Sequence, residues 1–418
     1  MATCFLKQKT SAFTWKRYEN FTEGLTPRQE PGVEKADQPE NLSVSRGYLA
    51  ATHVGNYALF GGGSYYTDTV DAYNTSLEKS TPTPLSQARS YLAATHVGNY
   101  ALFGGGYNND YVEFSNVVDA YDISLNRTTP THLSVKRMYL AATHVGNYAL
   151  FGGGILTGTG TSQYMSAVDA YDLSLNRTTA IHLSVGRGHL AATNVGNYAL
   201  FGGGENSNIR DSNTVDAYDS LLNKVNTINL SRNKANPVAT HVRNYALFAG
   251  CHYYSGDVDD PLGPTIDAYD TPLNRITIDL PEGYEDYGAA THIGDYALFG
   301  GGYNSGRIAD TVYVYNSSLE RSPTQNLDIG KANLAATHVG DYALFAGGYT
   351  NNGDGHDYST KTVDTYQENQ EVCDFPVIPN SIYKFEPYYS ETTASEFSKV
   401  TVNYPVNGYV KYISTTLN

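Results

Sequence analysis

The stretch LAATHVGNYALFGGG at 49–63 decides the fold. It returns unchanged at 92–106 and 140–154, with Asn for His at 190–204, and in looser form at 238–251, 289–302 and 334–348. Seven copies thus fill the middle of a 418-residue chain. Read at His53, His96, His144, Asn194, His241, His292 and His338, the spacing runs from 43 to 51 residues. A period of that size signals a propeller or a solenoid. Within the block, LAATHV and YALF are short apolar segments joined by Gly-Asn or Gly-Asp, which predicts a tight hairpin. A third segment follows each copy: VDAY at 70–73, 118–121, 168–171 and 215–218, IDAY at 266–269, VYVY at 312–315 and VDTY at 363–366. Segments like RTTPTHL (127–133) read as a fourth, more exposed strand. Helical periodicity is missing over any useful length. Four strands per repeat predict an all-β, seven-bladed β-propeller, since solenoid repeats of this length usually contain helices.

The Gly-Gly after the second strand (Gly61-Gly62, Gly104-Gly105), the later aromatic (Tyr73, Tyr121) and a basic residue before the next first strand resemble Kelch repeats. The resemblance covers about 42–370. One departure matters. Kelch repeats usually carry a Trp in the fourth strand, where this chain has Thr128 or Thr178, and its one Trp is Trp15. Packing between blades must then lean on tyrosines. Near-identical repeats of this texture also resemble Kelch-like arrays encoded by bacteria and prophages, some of them tail-associated.

Seven copies of the first three strands are present, but no fourth-strand segment follows Tyr366. VEKADQPENLSVSR (33–46) ends like HLSVKR (132–137), so 33–42 is expected to close the seventh blade and remove an open sheet edge. The expected layout is an N-terminal attachment segment (1–32), the propeller (33–370) and a C-terminal β-hairpin tail (371–418), the last marked by Asn407-Gly408.

Composition narrows the function. Asp and Glu outnumber Lys and Arg 42 to 27, a net −15 that argues against nucleic acid. No apolar run approaches the roughly 20 residues of a membrane helix. MATCFLKQKTSAFTWKRY has no apolar core, so no secretory signal is expected. Cys4, Cys251 and Cys373 lack disulfide-scaffold or metal spacing. No cofactor is expected, and no nucleophile elbow, P-loop or convergent catalytic set is present. The acidic clusters Asp257–Asp260 and Glu282, Glu285, Asp286 read as surface loops.

Two sets of residues are candidates for binding. The loops between second and third strands, 64–69, 107–117, 155–167, 205–214, 252–265, 303–311 and 349–362, vary from 6 to 14 residues while the strands hardly change. Their Tyr65, Tyr66, Tyr107, Tyr111, Tyr253, Tyr254, Tyr303 and Tyr349, among Asn, Asp, Ser and Gly, make up a paratope-like mix. The second set lies seven residues before each His/Asn position: Arg46, Arg89, Arg137, Arg187, Lys234 and Lys331, with Glu285 in the sixth repeat. Repeat symmetry predicts a basic ring at the channel mouth, able to hold a carboxylate or phosphate. The resemblance adds that some Kelch adaptors hold acidic peptides on mouth arginines. The bland reading is strand capping or pairing with nearby acids. Six of the seven third strands carry Asp, for which a His–Asp hydrogen bond is the simple expectation.

The sequence therefore suggests a non-catalytic binding or structural protein. The favoured form is a bacteriophage tail-associated receptor-binding or fibre component, located in the virion and recognising a cell-surface glycan or protein. Its termini would contact other virion proteins, and it could form a homo-oligomer. The alternative is a cytoplasmic Kelch-type adaptor binding acidic peptides.

Overall fold

In the computed structural model each repeat is a four-stranded antiparallel blade. The structure describes residues 32–368 apart from 66, 109–112, 158–161, 208–210, 251–263, 281–285, 305–306 and 352–355, together with strand segments near both chain ends. Blade one comprises Ala50–Val54, Tyr57–Gly61, Val70–Asn74 and Lys79–Ser80, in that order across the sheet. The first strands of blades two to seven are Ala93–Val97, Ala141–Val145, Ala191–Val195, Val238–Val242, Ala289–Ile293 and Ala335–Val339. Each touches the next, and the seventh touches the first. The chain is thus an all-β, seven-bladed propeller, with no helix among the described residues.

The hairpin reading of the repeat is seen directly. Val54 pairs with Tyr57 and Ala50 with Gly61, leaving Gly55-Asn56 as a two-residue turn. Gly55 has φ +52°, a conformation glycine adopts without steric cost. Along the first strand, Ala50, Thr52 and Val54 are buried between blades while Ala51 and His53 face the axis. That alternation is the period of two expected of a strand with two different faces.

The core lies between blades. Phe103 and Tyr121 of blade two pack with Val54, Leu59 and Val70 of blade one. The same arrangement recurs around the ring, as with Phe151 and Tyr171 against Val97 and Leu102. Phe103 and Tyr121 meet edge to face at 6.0 Å. Tyr73, Tyr121, Tyr171, Tyr218, Tyr269 and Tyr366 each send the hydroxyl to a carbonyl of the segment entering the blade, Tyr121 to Thr83 at 2.8 Å and Tyr73 to Glu40 at 2.8 Å. Tyrosine thus supplies bulk, and its hydroxyl is satisfied in the interior. The glycine run makes room for it. A Cβ on Gly61 would lie 2.7 Å from the Phe103 ring. Gly62 has φ +68°, and a Cβ there would stand 2.4 Å from the Arg89 carbonyl oxygen.

Blade seven takes its outer strand, Val33–Lys35, from the start of the propeller segment. Ala36 N–H donates to the Thr365 carbonyl at 2.8 Å, and Leu42 N–H to that of Lys361 at 2.9 Å. Val33 joins the core around Phe345 and Tyr366. Lys35 pairs with Asp364 at 2.8 Å and Asp328 at 2.5 Å.

The chain ends form a second unit, residues 1–32 with 368–418. The two ends, read in the sequence as separate segments, interleave. Thr3–Lys9 pairs with Trp15–Tyr18 and with Tyr383–Tyr388, and Thr26–Gln29 pairs with Val372–Pro376. Val402–Asn403 pairs with Tyr409–Ile413, while the turn at Asn407-Gly408 lies outside the described residues.

The clasp can be tested by placing a charge in it. Val33→Asp puts a carboxylate at a site only 2 % exposed. It should lower the unfolding free energy by about 3–5 kcal/mol in denaturant titrations. Val44→Asp, at 40 % exposure, should change it little. Equal melts for both variants would show that the short strand contributes nothing to closure.

Candidate functional site

The basic residues expected around the channel mouth do not line it. Arg46, Arg89, Arg137, Arg187, Lys234 and Lys331 are all 0 % exposed, inside their blades. Each faces the Asp of its own third strand: Arg46–Asp71 at 2.8 Å, Arg89–Asp119 at 2.5 Å, Arg137–Asp169 at 2.8 Å and Lys331–Asp364 at 2.6 Å. Arg187–Asp216 is likewise paired, and Lys234 lies 3.6 Å from Asp267. Most of the aspartates meet a second cation from the fourth strand, as Asp169 does with Arg177 at 3.3 Å and Asp216 with Lys224 at 2.5 Å. The physical reason is desolvation: a buried charge must find an opposite charge and hydrogen bonds. Arg89 also donates to the carbonyls of Gly105 and Val117, at 2.8 and 2.6 Å. Burial pulls the arginines below their usual pKa, opposed by the neighbouring carboxylates. The aspartates therefore serve the arginines, not the histidines.

A signal for this pairing was present. The sixth repeat, which has Glu285 in place of the basic residue, also has Tyr313 in place of the Asp. Two exceptions in one repeat mark partners. Arg321 stacks 5.1 Å above the Tyr313 ring in that blade.

The histidines line the axis. His53 lies between His338 and His96, at 4.2 Å from each ring centroid, and the ring continues to His144 at 4.1 Å. His241, His292 and His338 follow at 3.9 and 4.3 Å, with Asn194 in the remaining place. Burial first, and neighbouring histidines second, hold His53 down to about 3. His96 falls to about 2. Burial leads again for His241 and His338, each lowered to about 4. Among the described residues no group of three His, Cys, Asp or Glu is arranged to hold a metal ion.

The open end of the axis is a different ring, which the sequence reading did not single out. It stands two residues beyond each basic position: Tyr48, Tyr91, Tyr139, His189, Asn236, Tyr287 and Asn333. Six of these are non-glycine residues in the left-handed region, with φ from 52° to 56°. Such backbone costs of order 1–3 kcal/mol each, and the same region is used by Leu77, Leu125, Leu175, Leu222, Leu273 and Leu319 in the turns between third and fourth strands. A belt of backbone hydrogen bonds holds it: Tyr91 N–H to Tyr48, Tyr139 to Tyr91, His189 to Tyr139, Asn333 to Tyr287 and Tyr48 to Asn333, at 2.8–3.1 Å. The side chains are linked as well. Tyr48 and Tyr91 rings stand 4.3 Å apart, Tyr91 and Tyr139 4.5 Å, and Tyr139 stacks on His189 at 3.7 Å. The Tyr48, Tyr91 and Tyr139 hydroxyls lie near enough to bear on one another's ionisation, as Asn236 does on that of His189 and Tyr287. The collar surrounds an open cavity of 210 Å³ over Leu49, Leu92, Leu140, Leu190 and Leu334. Burial raises the pKa of Tyr139 and Tyr287 to about 12 and lowers that of His189 to about 4.

The variable loops rise beside this collar. Among the described residues four contain two-stranded ribbons: Tyr107–Asn108 with Glu113–Phe114, Ile155–Thr157 with Ser162–Tyr164, Tyr303–Asn304 with Arg307–Ile308, and Tyr349–Asn351 with Asp357–Ser359. Tyr349 reaches Tyr48 at 5.3 Å and Tyr65 at 6.5 Å, and Tyr303 meets Tyr287 at 6.0 Å. Tyr107 packs on Phe114 within its own ribbon at 5.5 Å. Tyr65 is 59 % exposed. Tyr66, Tyr111, Tyr253 and Tyr254 lie outside the described residues, as do Asp257–Asp260, Glu282 and Glu285.

Two measurements check this account. Asp119→Ala strands a buried Arg89 and should cost about 3–5 kcal/mol in urea unfolding, whereas Arg89→Met with Asp119→Leu should restore much of the loss. Additive losses would sink the pairing. The histidine ring predicts acid lability. The unfolded chain protonates as pH falls through about 6.5, but in the folded ring His53, His96, His241 and His338 resist until about 2–4, and burial lowers His144 and His292 as well. Stability should be full above pH 6.5 and decline steadily towards pH 4. Replacing all six by Asn, the residue blade four already carries, should flatten that decline. An unchanged pH profile in the Asn variant would refute it.

No protein-family model matches the chain, and no curated protein sequence matches it. Among solved structures, the one titled "Structure of YjhT" superposes with a TM-score of 0.50 at 12 % identity, covering 83 % of this chain and 99 % of its own. At that identity the likeness is one of fold.

Proposed function

We propose that this chain is a non-catalytic, Kelch-like binding protein, tail-associated in a bacteriophage or prophage, that recognises a cell-surface glycan or protein through the collar-and-ribbon face. One observation carries the reading: near-identical blades hold a strained aromatic collar, and only the loops around it vary. A constant scaffold with variable loops on one face is the layout of a recognition surface. Tyrosine-rich ribbons add rigid contact area at low entropic cost. The unit built from both chain ends offers a separate element for attachment to other virion proteins. The texture of the repeats favours the phage setting. The adaptor reading, with acidic peptides held on mouth arginines, has no basic ring exposed among the described residues.

The test uses the full chain against a panel of bacterial cells and a glycan array. Replacing loop 107–117 or 349–362 by the six-residue SYYTDT of blade one should cut binding to the recognised cell or glycan on the order of tenfold or more, with the melt unchanged. Full binding by both loop-replaced proteins would overturn the reading.

A further inference from the structure

We infer that the axial collar takes a single uncharged sugar residue, such as the terminal hexopyranose of a surface glycan. This rests on the binding function proposed above and adds the chemistry of its central pocket.

Charge is the first argument. None of the described residues lining the cavity is Asp, Glu, Lys or Arg. The basic residues beneath it are fully buried and already committed to aspartates. The acidic groups Glu205 and Asp286 are the charges felt by Tyr287. An anion entering here would lose water without gaining a counter-charge. The anionic ligand expected from the basic ring is therefore disfavoured at this site.

Ring geometry is the second. Consecutive rings along Tyr48, Tyr91, Tyr139 and His189 stand 3.7–4.5 Å apart, the first two pairs tilted and the third stacked, so the rings pack on one another. An aromatic cage for a cation needs open faces. What this collar offers is a circle of neutral hydroxyl, imidazole and amide groups, each both donor and acceptor.

The floor is the third. Below the polar circle lie leucines, 6–7 % exposed. A ligand must then present hydroxyls around its edge and carbon-bound hydrogens beneath. A pyranose does both. At 210 Å³ the cavity is below the roughly 300 Å³ at which drug-sized pockets begin, a size that suits one sugar ring.

The experiment titrates the full chain with methyl glucoside, methyl galactoside, methyl mannoside, N-acetylglucosamine, glucuronate and choline, followed by calorimetry and tyrosine fluorescence. At least one neutral sugar should bind, and glucuronate should bind at least about tenfold more weakly than glucoside. Tyr91→Phe, which keeps the ring and removes the hydroxyl, should weaken the sugar several-fold with an unchanged melt. Tyr91→Ala should weaken it further. Preferred binding of glucuronate or choline, absence of binding by every neutral sugar, or full binding by Tyr91→Phe and Tyr91→Ala would overturn the inference. If loop replacement abolishes cell binding while the sugars leave the collar untouched, the function stands and the collar chemistry fails.

Discussion

A buried guanidinium or ammonium facing a buried aspartate is the constraint on which the propeller depends. Such a pair tolerates little displacement, because either charge left alone in the interior is costly. In blade two, Arg89 bridges the end of the second strand to the third through Gly105, Val117 and Asp119. Its backbone carbonyl meanwhile accepts the N–H of Gly63 from blade one at 2.8 Å. One residue thus ties its own blade together and joins it to the previous one. The collar residue stands two positions later, so the pair also sets where the ligand-facing ring begins.

That placement explains how the mouth sustains its strain. Left-handed tyrosines persist only where the surroundings over-determine them. Here the anchors are the buried ion pair behind, the hydrogen-bond belt alongside and Leu49 or its equivalents beneath. Gly47 has the matching role in front: a Cβ there would sit 2.2 Å from the Tyr349 ring, so the ribbon can lie against the collar. Rigid collar and variable ribbons thereby form one surface.

Much of this was legible in the chain. The GNY turn, the period-two strands and the sevenfold repeat led to the propeller, because each is a local backbone preference. The basic position and the Asp were both visible, and pairing with nearby acids was one reading of the first, but the Asp was matched to the histidines instead. Which of two polar repeats faces which is a matter of sheet register. The shared exception of Glu285 and Tyr313 identified which acid each basic residue meets. Tyr48 and its equivalents gave no signal, since nothing in YLAATH or NLAATH announces φ near +54°.

By itself the sequence determined the strand hairpins, the blade number and the face that varies. Those follow from short-range periodicity and from glycines whose φ is positive. Tertiary structure alone decided burial. Ring closure carries residues about 45 apart into contact around one axis. It turned a basic ring that reads as a ligand site into an internal brace and the histidines into a close-packed, neutral liner. It also made an unremarked tyrosine position into the wall of the central cavity. The reason is that desolvation acts on the assembled ring, where the distances between repeats are set, and not on any one repeat.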